Sequence, residues 1–225
     1  MTSQMPGETI KIMIVDDHPI VRQGIALLFD QQSDMQATCE AGSGEEALAS
    51  LTKSQGSCAD LMVVDLSLEG MSGLELIKAV RLRFPDMPML VMSMHDESLY
   101  AERALRAGAR GYIMKQEATE KILTAVRQIL RGGIYVSDHM QTRMLQRLVD
   151  NRGEPAETPL ATLSDRELEV LRLIGRGLST GEIARDLHRS VKTVEAHRAN
   201  IKEKLSLKNA AELVRYAIQL VEQGE

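Results

Sequence analysis

The sequence predicts an α/β fold, a doubly wound five-stranded parallel sheet, followed by a small all-α helix-turn-helix domain. Between about residues 10 and 131, five short apolar runs alternate with amphipathic stretches of helical periodicity. Strands that alternate with helices imply a parallel sheet covered on both faces, and right-handed crossovers make that sheet doubly wound. From Leu163 onward, every periodic segment has the spacing of a helix.

The five strands and five helices of the first domain follow one another along the chain. The strands are predicted near 10–16, 35–39, 60–65, 88–93 and 110–114, and the helices near 19–31, 44–54, 73–83, 97–107 and 117–131. Gly70 and Gly73 bracket the loop after the third strand. Pro85 and Pro88 stop the third helix, and Gly108 ends the fourth.

Composition changes after Gly132 and Gly133. A short helix near 138–149 leads into NRGEPAETP, whose prolines, glycine and acidic residues predict a linker over 150–160. Helices follow near 165–175, 180–187, 191–205 and 209–222, with Ser164 and Ser179 as caps of the first two. We therefore expect a first domain at 9–131, a short helix and linker at 132–160, and the helix-turn-helix domain at 161–223.

Overall composition is that of a globular protein that works outside the membrane. The chain has 225 residues, of which 44% are hydrophobic and 26% charged. No apolar run approaches the ~18 residues that span a bilayer, and the start MTSQMPGETIK lacks the order of a signal peptide. We expect a cytoplasmic protein whose two cysteines, Cys39 and Cys58, are reduced structural thiols without metal-binding spacing.

Polar residues directly follow four of the predicted strands. They are Asp16 and Asp17 after KIMIV, Asp65 after LMVV, Ser93 after MLVM and Lys115 after GYIM. The carboxyl ends of parallel strands meet in one crevice, so these side chains should converge. Three carboxylates at close range require a cation, and oxygen ligands select a hard ion such as Mg²⁺. Any one of these positions alone is typical of a turn or cap, but the set predicts a magnesium-assisted phosphoryl acceptor.

The second domain carries a basic stripe on a recognisable motif. The stripe consists of Arg189, Lys192, Arg198, Lys202, Lys204 and Lys208. Residues 1–159 contain 16 Lys and Arg against 22 Asp and Glu, whereas residues 160–225 contain 11 against 10. GLSTGEIARDL followed by HRSVKTVEAHRANIKEKL is typical of two helices joined by a tight turn. In this arrangement the second helix enters the major groove of DNA.

Helical geometry sorts the faces of that second helix. Val194, Ile201 and Leu205 fall on one side and should pack on the preceding helix. The residues predicted to face the groove are Lys192, Glu195, Ala196, Ala199 and Asn200, and those at the flanks, suited to phosphate contact, are Thr193, Arg198 and Lys202. His197 lies beside the buried face, where packing or capping is favoured over metal binding.

Taken together, these motifs resemble response regulators of the NarL/FixJ class. DDHPIVRQGI, VVDLSLEGMSG, VMSMHD and RAGARGYIMK are similar to a flavodoxin-like receiver domain at 9–131, and the motif sequence from LSDRELEV to KEKL is similar to a LuxR-type output domain at 161–223. The resemblance implies phosphorylation by a sensor histidine kinase, binding to promoter DNA, no membrane partner, and a homodimer in the active form. Such a protein is a transcription regulator and not an enzyme.

The resemblance also assigns roles to individual residues. Asp65 is then the phosphoacceptor, and the residues that hold Mg²⁺ are Asp16, Asp17, Asp65 and the backbone carbonyl of Ser67. The remaining roles are a switch hydroxyl on Ser93, a switch aromatic ring on Tyr112 and an active-site lysine at Lys115. One departure from the pattern is Gln116, which follows Lys115 where many receivers have proline.

Two other functions stay open at this point. GSGEEA at 42–47 fits the GxGxxA dinucleotide fingerprint, but Glu45 and Glu46 would place negative charge against a pyrophosphate. The receiver could instead be a dimerisation module that acts without phosphorylation. The last helix carries Leu213, Tyr216, Ala217 and Leu220, a stripe that suits either a dimer seam or core packing.

Overall fold

The computed structural model of the protein describes residues 9–117, 119–149 and 159–222. The chain divides into two compact units, one ending at Thr142 and the other beginning at Arg143. Most of the predicted linker, residues 150–158, lies outside the described residues. Its end differs from the prediction, because Pro159–Thr162 form a single 3-10 turn. No described helix is long and apolar enough to cross a membrane.

The first unit is built on a five-stranded parallel sheet with the order β2-β1-β3-β4-β5. Its strands are β1 (Ile10–Val15), β2 (Met35–Ala41), β3 (Leu61–Val64), β4 (Met89–Ser93) and β5 (Gly111–Met114). Its helices are α1 (Pro19–Asp30), α2 (Gly44–Lys53), α3 (Gly73–Arg83), α4 (Glu97–Ala107) and α5 (Thr119–Leu130), and α6 (Asp138–Val149) follows. The strand order reverses between β1 and β3, so the predicted doubly wound fold is confirmed.

Strands β3 and β4 are buried along their whole length because helices cover both faces of the sheet. All four residues of β3 and all five of β4 are buried. One core cluster joins the strands to α1 and α5 through Phe29, Ile122 and Val126. Rigid central strands of this kind hold the polar residues at their carboxyl ends in fixed positions.

Strand β2 runs two residues further than predicted, to Ala41. A register shift between Ile12 and Met13 accommodates one extra residue in β2, Thr38, as in a β-bulge. The longer strand lets the carbonyl of Ala41 accept a hydrogen bond from the Asp16 N–H at 3.1 Å. The end of β2 thereby fixes the backbone of one predicted site residue.

The second unit begins within α6 at Arg143, and after the 3-10 turn its described part consists of four α-helices. They are α7 (Asp165–Gly175), α8 (Thr180–Asp186), α9 (Val191–Lys204) and α10 (Ala210–Glu222). Ser164 and Ser179 form the predicted capping boxes, and Ser190 caps α9 by accepting from the Thr193 N–H at 3.0 Å. A Cβ at Gly175 would lie 2.3 Å from the Ala217 carbonyl oxygen, so α7 and α10 approach closely at this point.

Candidate phosphoacceptor site and nucleic-acid interface

Asp65 lies directly after β3 at the centre of the carboxyl edge of the sheet and is only 3% exposed. Lys115, directly after β5, places Nζ 2.7 Å from Oδ2 of Asp65 and 2.6 Å from Oδ2 of Asp16. The predicted convergence of β1, β3 and β5 on one crevice is therefore observed. The Lys115–Gln116 bond is trans, as is every peptide bond in the described ranges.

The start of α3 is packed against the backbone of the candidate acceptor. A Cβ at Gly73 would lie 2.0 Å from the Asp65 carbonyl oxygen, so no larger residue fits without a backbone shift. Ser72 caps the helix by accepting from the Glu75 N–H at 3.3 Å, and Glu75 accepts in return from the Ser72 N–H at 2.8 Å. This capping box fixes the helix start that holds Asp65 in place.

Burial and charge act against each other in the crevice. Burial raises the pKa of Asp65, while the Lys115 ammonium lowers it and the neighbouring Asp16 charge raises it again. For Lys115, burial acts to lower the pKa, but the Asp65 and Asp16 carboxylates outweigh it and hold the pKa above its ordinary value. Lys115 therefore stays protonated at neutral pH and supplies a fixed positive charge.

The acidic residues form a compact donor set that fits a hard cation. One donor atom each from Asp16, Asp17, His18 and Asp65 lies within 4.8 Å of the others. The buried Oδ2 of Asp16 lies 2.6 Å from Lys115 Nζ, and the buried Oδ1 of Asp17 lies 2.6 Å from His18 Nδ1. Neither oxygen accepts a hydrogen bond of ordinary geometry. Carboxylate oxygens in this arrangement suit Mg²⁺. His18 was not predicted, although it directly follows the acidic pair.

Both predicted switch residues contact one further residue, His95. Ser93 and Tyr112 are fully buried. The Tyr112 hydroxyl donates to the His95 carbonyl at 2.7 Å, and the His95 N–H donates to Ser93 Oγ at 3.2 Å. Tyr112 thus occupies an inward position, bonded to the loop between β4 and α4.

His95 is the functional candidate that the sequence reasoning missed. Its Nε2 is hydrogen-bonded to Ser67 Oγ at 2.8 Å, and its ring stacks on Tyr100 of α4 with centroids 4.7 Å apart. The Ser67 N–H donates to Asp65 Oδ1 at 3.3 Å, whereas a metal contact from the Ser67 carbonyl remains a prediction. His95 therefore joins the loop after β3 to the first turns of α4. Its position two residues after the switch residue Ser93 is the feature of the sequence that could have identified it.

The GSGEEA turn is a capped helix start. Ser43 accepts from the Glu46 N–H at 3.2 Å, and Glu46 Oε2 accepts from the Gly42 N–H at 2.7 Å. Glu45 Oε1 accepts from the Met71 N–H at 3.1 Å. The Gly42 and Glu46 N–H groups are therefore already bound within the turn, and its two carboxylates would repel a pyrophosphate.

Helix α9 presents its predicted outer face to solvent. Of the eight candidate DNA contacts, the five predicted to face the groove are exposed: Lys192, Glu195, Ala196, Ala199 and Asn200. The three flanking residues are half-buried: Thr193, Arg198 and Lys202. On the opposite face, Val194 and Ile201 are fully buried. Leu205, predicted for the same buried face, is only half-buried. The exposures therefore agree with the predicted sorting except at Leu205, and contact with DNA remains a prediction.

An ion pair between a buried carboxylate and a partly exposed lysine holds α9 to α7. Lys204 Nζ lies 2.6 Å from Glu167 Oε2, and Glu167 is only 3% exposed. Burial acts to raise the Glu167 pKa, but Lys204 and the Ser164 cap outweigh it and hold the pKa below its ordinary value. Lys204, part of the basic stripe in sequence, is thus a packing partner. Burial likewise lowers the pKa of half-buried His197, which fits its predicted packing role.

The stripe on α10 is divided between two environments. Leu213 and Ala217 are fully buried in the second unit, so these two residues belong to its core. Tyr216 and Leu220 are half-buried, and Ile218 beside them is 40% exposed. A dimer seam on this helix is therefore restricted to the outer residues.

Comparison with known proteins assigns each unit to a family. Residues 12–127 match the response regulator receiver domain, and residues 161–217 match the bacterial regulatory proteins of the luxR family. The chain belongs to the response regulators of the NarL/FixJ class, which are DNA-binding transcription regulators and not enzymes.

Similarity to individual proteins extends over nearly the whole chain. The oxygen regulatory protein NreC of Staphylococcus carnosus is 40% identical over 214 residues, which cover 93% of this chain and 97% of NreC. The response regulator RcsB of Salmonella typhimurium has a solved structure described in terms of conformational dynamism for DNA interaction. It is 26% identical to this chain and has a TM-score of 0.63. The match covers 94% of this chain and 98% of RcsB. RcsB bound to the promoter rprA with the phosphomimetic BeF3- is 26% identical with a TM-score of 0.60, covering 93% and 98%.

Proposed function

We propose that this protein is a phosphorylation-controlled transcription regulator that accepts a phosphoryl group on Asp65 from a sensor histidine kinase. The observation that carries the proposal is the contact of Lys115 Nζ with Asp65 at 2.7 Å and with Asp16 at 2.6 Å. The Lys115 ammonium favours the negative charge of an incoming phosphoryl group, and the neighbouring carboxylates suit the Mg²⁺ that would neutralise the rest of that charge. Promoter DNA is bound through α9.

The transfer forms a bond between a carboxylate oxygen of Asp65 and phosphorus. The phosphorus–nitrogen bond of the donor phosphohistidine breaks, and the imidazole leaves with the electron pair. Lys115 stabilises the charge on the transferred oxygens. Asp16, Asp17, Asp65 and the Ser67 carbonyl would hold Mg²⁺, which when bound neutralises charge on the same oxygens.

The phosphoryl group adds nearly two negative charges beside Ser93. The Ser93 hydroxyl then turns to donate to a phosphoryl oxygen, and because its oxygen accepts from the His95 N–H at 3.2 Å, the loop that carries His95 follows. Tyr112 is bonded to the same loop. A hundredfold change in DNA affinity requires only about 2.7 kcal/mol of difference between the two conformations.

Asp65→Asn tests the acceptor directly. The variant should lose all labelling by acetyl phosphate on a phosphate-affinity gel and keep its fold by circular dichroism. Asp17→Asn should retain labelling but require more Mg²⁺. Asp86→Asn, an exposed carboxylate on the same unit, is the matched control and should be labelled normally. Phosphoprotein of normal yield in Asp65→Asn would refute the assignment.

The active form is proposed to be a homodimer on an imperfect inverted repeat. A related structure is described as two RcsB dimers bound to two parallel DNAs, at 26% identity and a TM-score of 0.56. Both proposed partners, the phosphorylated kinase domain and promoter DNA, are cytoplasmic in bacteria, so we expect the protein to work there. DNA affinity and stoichiometry that do not change with beryllofluoride would favour a regulator independent of phosphorylation.

A further inference from the structure

The outer edge of β5 is covered by the segment that leads into α6. Because β5 is the last strand of the sheet, its edge would otherwise expose unpaired backbone groups. Tyr135 pairs with Gly111 in parallel fashion. The Tyr112 N–H donates to the Tyr135 carbonyl at 2.9 Å, and the Tyr135 N–H donates to the Arg110 carbonyl at 2.9 Å. Residues 134–137 are called the strap below.

The strap is seated closely on the first unit. A Cβ at Gly111 would lie 3.0 Å from the strap's carbonyl oxygen, so glycine allows the strap to come near. Val136 and, just beyond the strap, Met140 bury their side chains, at 4% and 1% exposure. Gln128 of α5 donates through Nε2 to the Ile134 carbonyl at 2.7 Å.

Ser137 connects the first turns of two helices. Its hydroxyl donates to Oε1 of Glu97, the first residue of α4. Its Oγ also accepts from the Met140 N–H at 3.1 Å, which caps α6. The start of α6 is therefore tied to the start of α4 through one side chain.

Two attachments of the strap, those to β5 and to Glu97, lie on the elements that the proposed switch moves. Tyr112 binds the strap through its main-chain N–H and the His95 carbonyl through its hydroxyl at 2.7 Å. Glu97 follows Ser93 by four residues in the same loop and helix start. Movement of Ser93 toward a phosphoryl group would draw Glu97 away from Ser137.

We infer that the strap couples the acceptor site to α6, and that phosphorylation of Asp65 releases the strap from β5 and α4. This inference rests on the proposed function and names its regulation. Beryllofluoride serves as the phosphoryl mimic. If binding of the mimic favours release of the strap by a given factor, then release of the strap must favour binding of the mimic by the same factor.

Hydrogen exchange on the full chain measures the strap directly. Peptides covering residues 134–140 should exchange at least about fivefold faster with beryllofluoride and Mg²⁺ than without them. A factor of about five is the lower end of the range usual for allosteric coupling between two sites. Ser137→Asp keeps a good N-cap for α6 but sets a second carboxylate against Glu97, so it should speed exchange without the mimic. The same variant should bind beryllofluoride more tightly in a calorimetric titration.

A compensating double variant and a control variant distinguish the contact between Ser137 and Glu97 from a general effect of added charge. Ser137→Asp combined with Glu97→Lys restores an attractive pair and should return exchange and mimic affinity toward wild type. Thr142→Asp adds the same charge to the exposed side of α6 and should change neither quantity.

The outcomes distinguish this inference from the proposed function. If wild type binds no beryllofluoride and gives no phosphoprotein, the proposed function is refuted and the inference with it. If wild type is labelled but residues 134–140 exchange at an unchanged or slower rate, the strap inference alone is overturned. Equal mimic affinity in wild type and Ser137→Asp would overturn it as well.

Discussion

The two units of this response regulator use charged side chains in opposite ways. In the receiver unit, ending at residue 142, the charges of the proposed chemistry are buried, with Asp16 1% and Asp65 3% exposed. In the output unit, the buried charge is the structural residue Glu167, while the candidate DNA contacts on α9 are exposed or half-buried. Transfer of a phosphoryl group requires a few fixed charges at low dielectric. Binding to DNA phosphates requires side chains that extend from the protein surface to the DNA backbone, and the affinity depends on the number of contacts.

The largest expected effect concerns the half-buried charges at the flanks of α9. Arg198→Ala combined with Lys202→Ala should weaken DNA binding roughly 100- to 1,000-fold on specific and random DNA alike, because phosphate contacts carry no sequence information. The slope of log affinity against log salt should flatten by roughly four units for a dimer. Titrations across a salt series measure both quantities. Lys208→Ala with Arg215→Ala removes equal charge from exposed positions outside α9 and should change little.

A second comparison uses two close approaches of a helix to a carbonyl, one in each unit. A Cβ at Gly73 would lie 2.0 Å from the Asp65 carbonyl, and one at Gly175 would lie 2.3 Å from the Ala217 carbonyl. Gly73→Ala should destabilise the receiver unit by about 3 kcal/mol and impair labelling, and Gly175→Ala should destabilise the output unit by about 2–3 kcal/mol and impair DNA binding.

Urea unfolding of the full chain, with labelling and DNA binding as unit-specific readouts, checks this comparison. Gly24→Ala and Gly181→Ala are matched controls, because a Cβ at either position meets nothing within 4 Å. Both controls should be neutral or slightly stabilising. If Gly73→Ala is as stable as Gly24→Ala, the close packing of α3 on Asp65 is wrong.

A third prediction concerns the uncharged part of the α9 face. Ala196→Leu or Ala199→Leu should cost about 1–3 kcal/mol on the specific site and little on random DNA, because small side chains there permit close approach to base edges. Isotherms on both DNAs measure the difference. Ala211→Leu, at an exposed position on α10, should lose nothing on either. Equal losses on both DNAs would mean that α9 is docked differently.

The smallest expected effect tests the buried structural charge. Because the folded pKa of Glu167 is lowered, its stabilising contribution is present above the unfolded pKa and is lost as pH falls through the folded pKa. Glu167→Gln should destabilise the output unit by about 1–2 kcal/mol at pH 7 and flatten its stability profile between about pH 5 and 3. Thermal unfolding across that range tests the sign. If the stability of Glu167→Gln falls with pH in the same way as that of wild type, the ion pair between Glu167 and Lys204 does not stabilise the output unit.

Most of the fold and the centre of the acceptor site could be predicted from the sequence. Alternating strand and helix patterns have few solutions under the rules of handedness, and the strand ends then bring Asp16, Asp65 and Lys115 together without further information. The buried side of α9 was equally predictable, because Val194 and Ile201 follow directly from the helical period.

The remaining contacts depend on rotamers and loop paths, which periodicity does not describe. His95 lies in a loop, and its bond to Ser67 depends on how two loops meet. In the sequence, Lys204 is indistinguishable from the other basic residues of the stripe. Its partner Glu167 lies 37 positions away, so only the packing of α9 on α7 reveals the ion pair. The bulge at Thr38 likewise depends on a local backbone shift in an edge strand.

The strand order also sets the time course of folding. β1 pairs with β3 only when Ile12 meets Leu61, and α1, β2 and α2 all lie between these two residues in the sequence. Closing such a long loop slows folding. The output unit also has long-range contacts, such as that of Gly175 with Ala217, but its backbone hydrogen bonds lie within helices and their caps, and these form locally. Stopped-flow refolding should therefore show a fast helical phase from the output unit and a slower phase from the receiver unit. Although the receiver is synthesised first, the shorter-range unit should reach its native form faster once it is free of the ribosome.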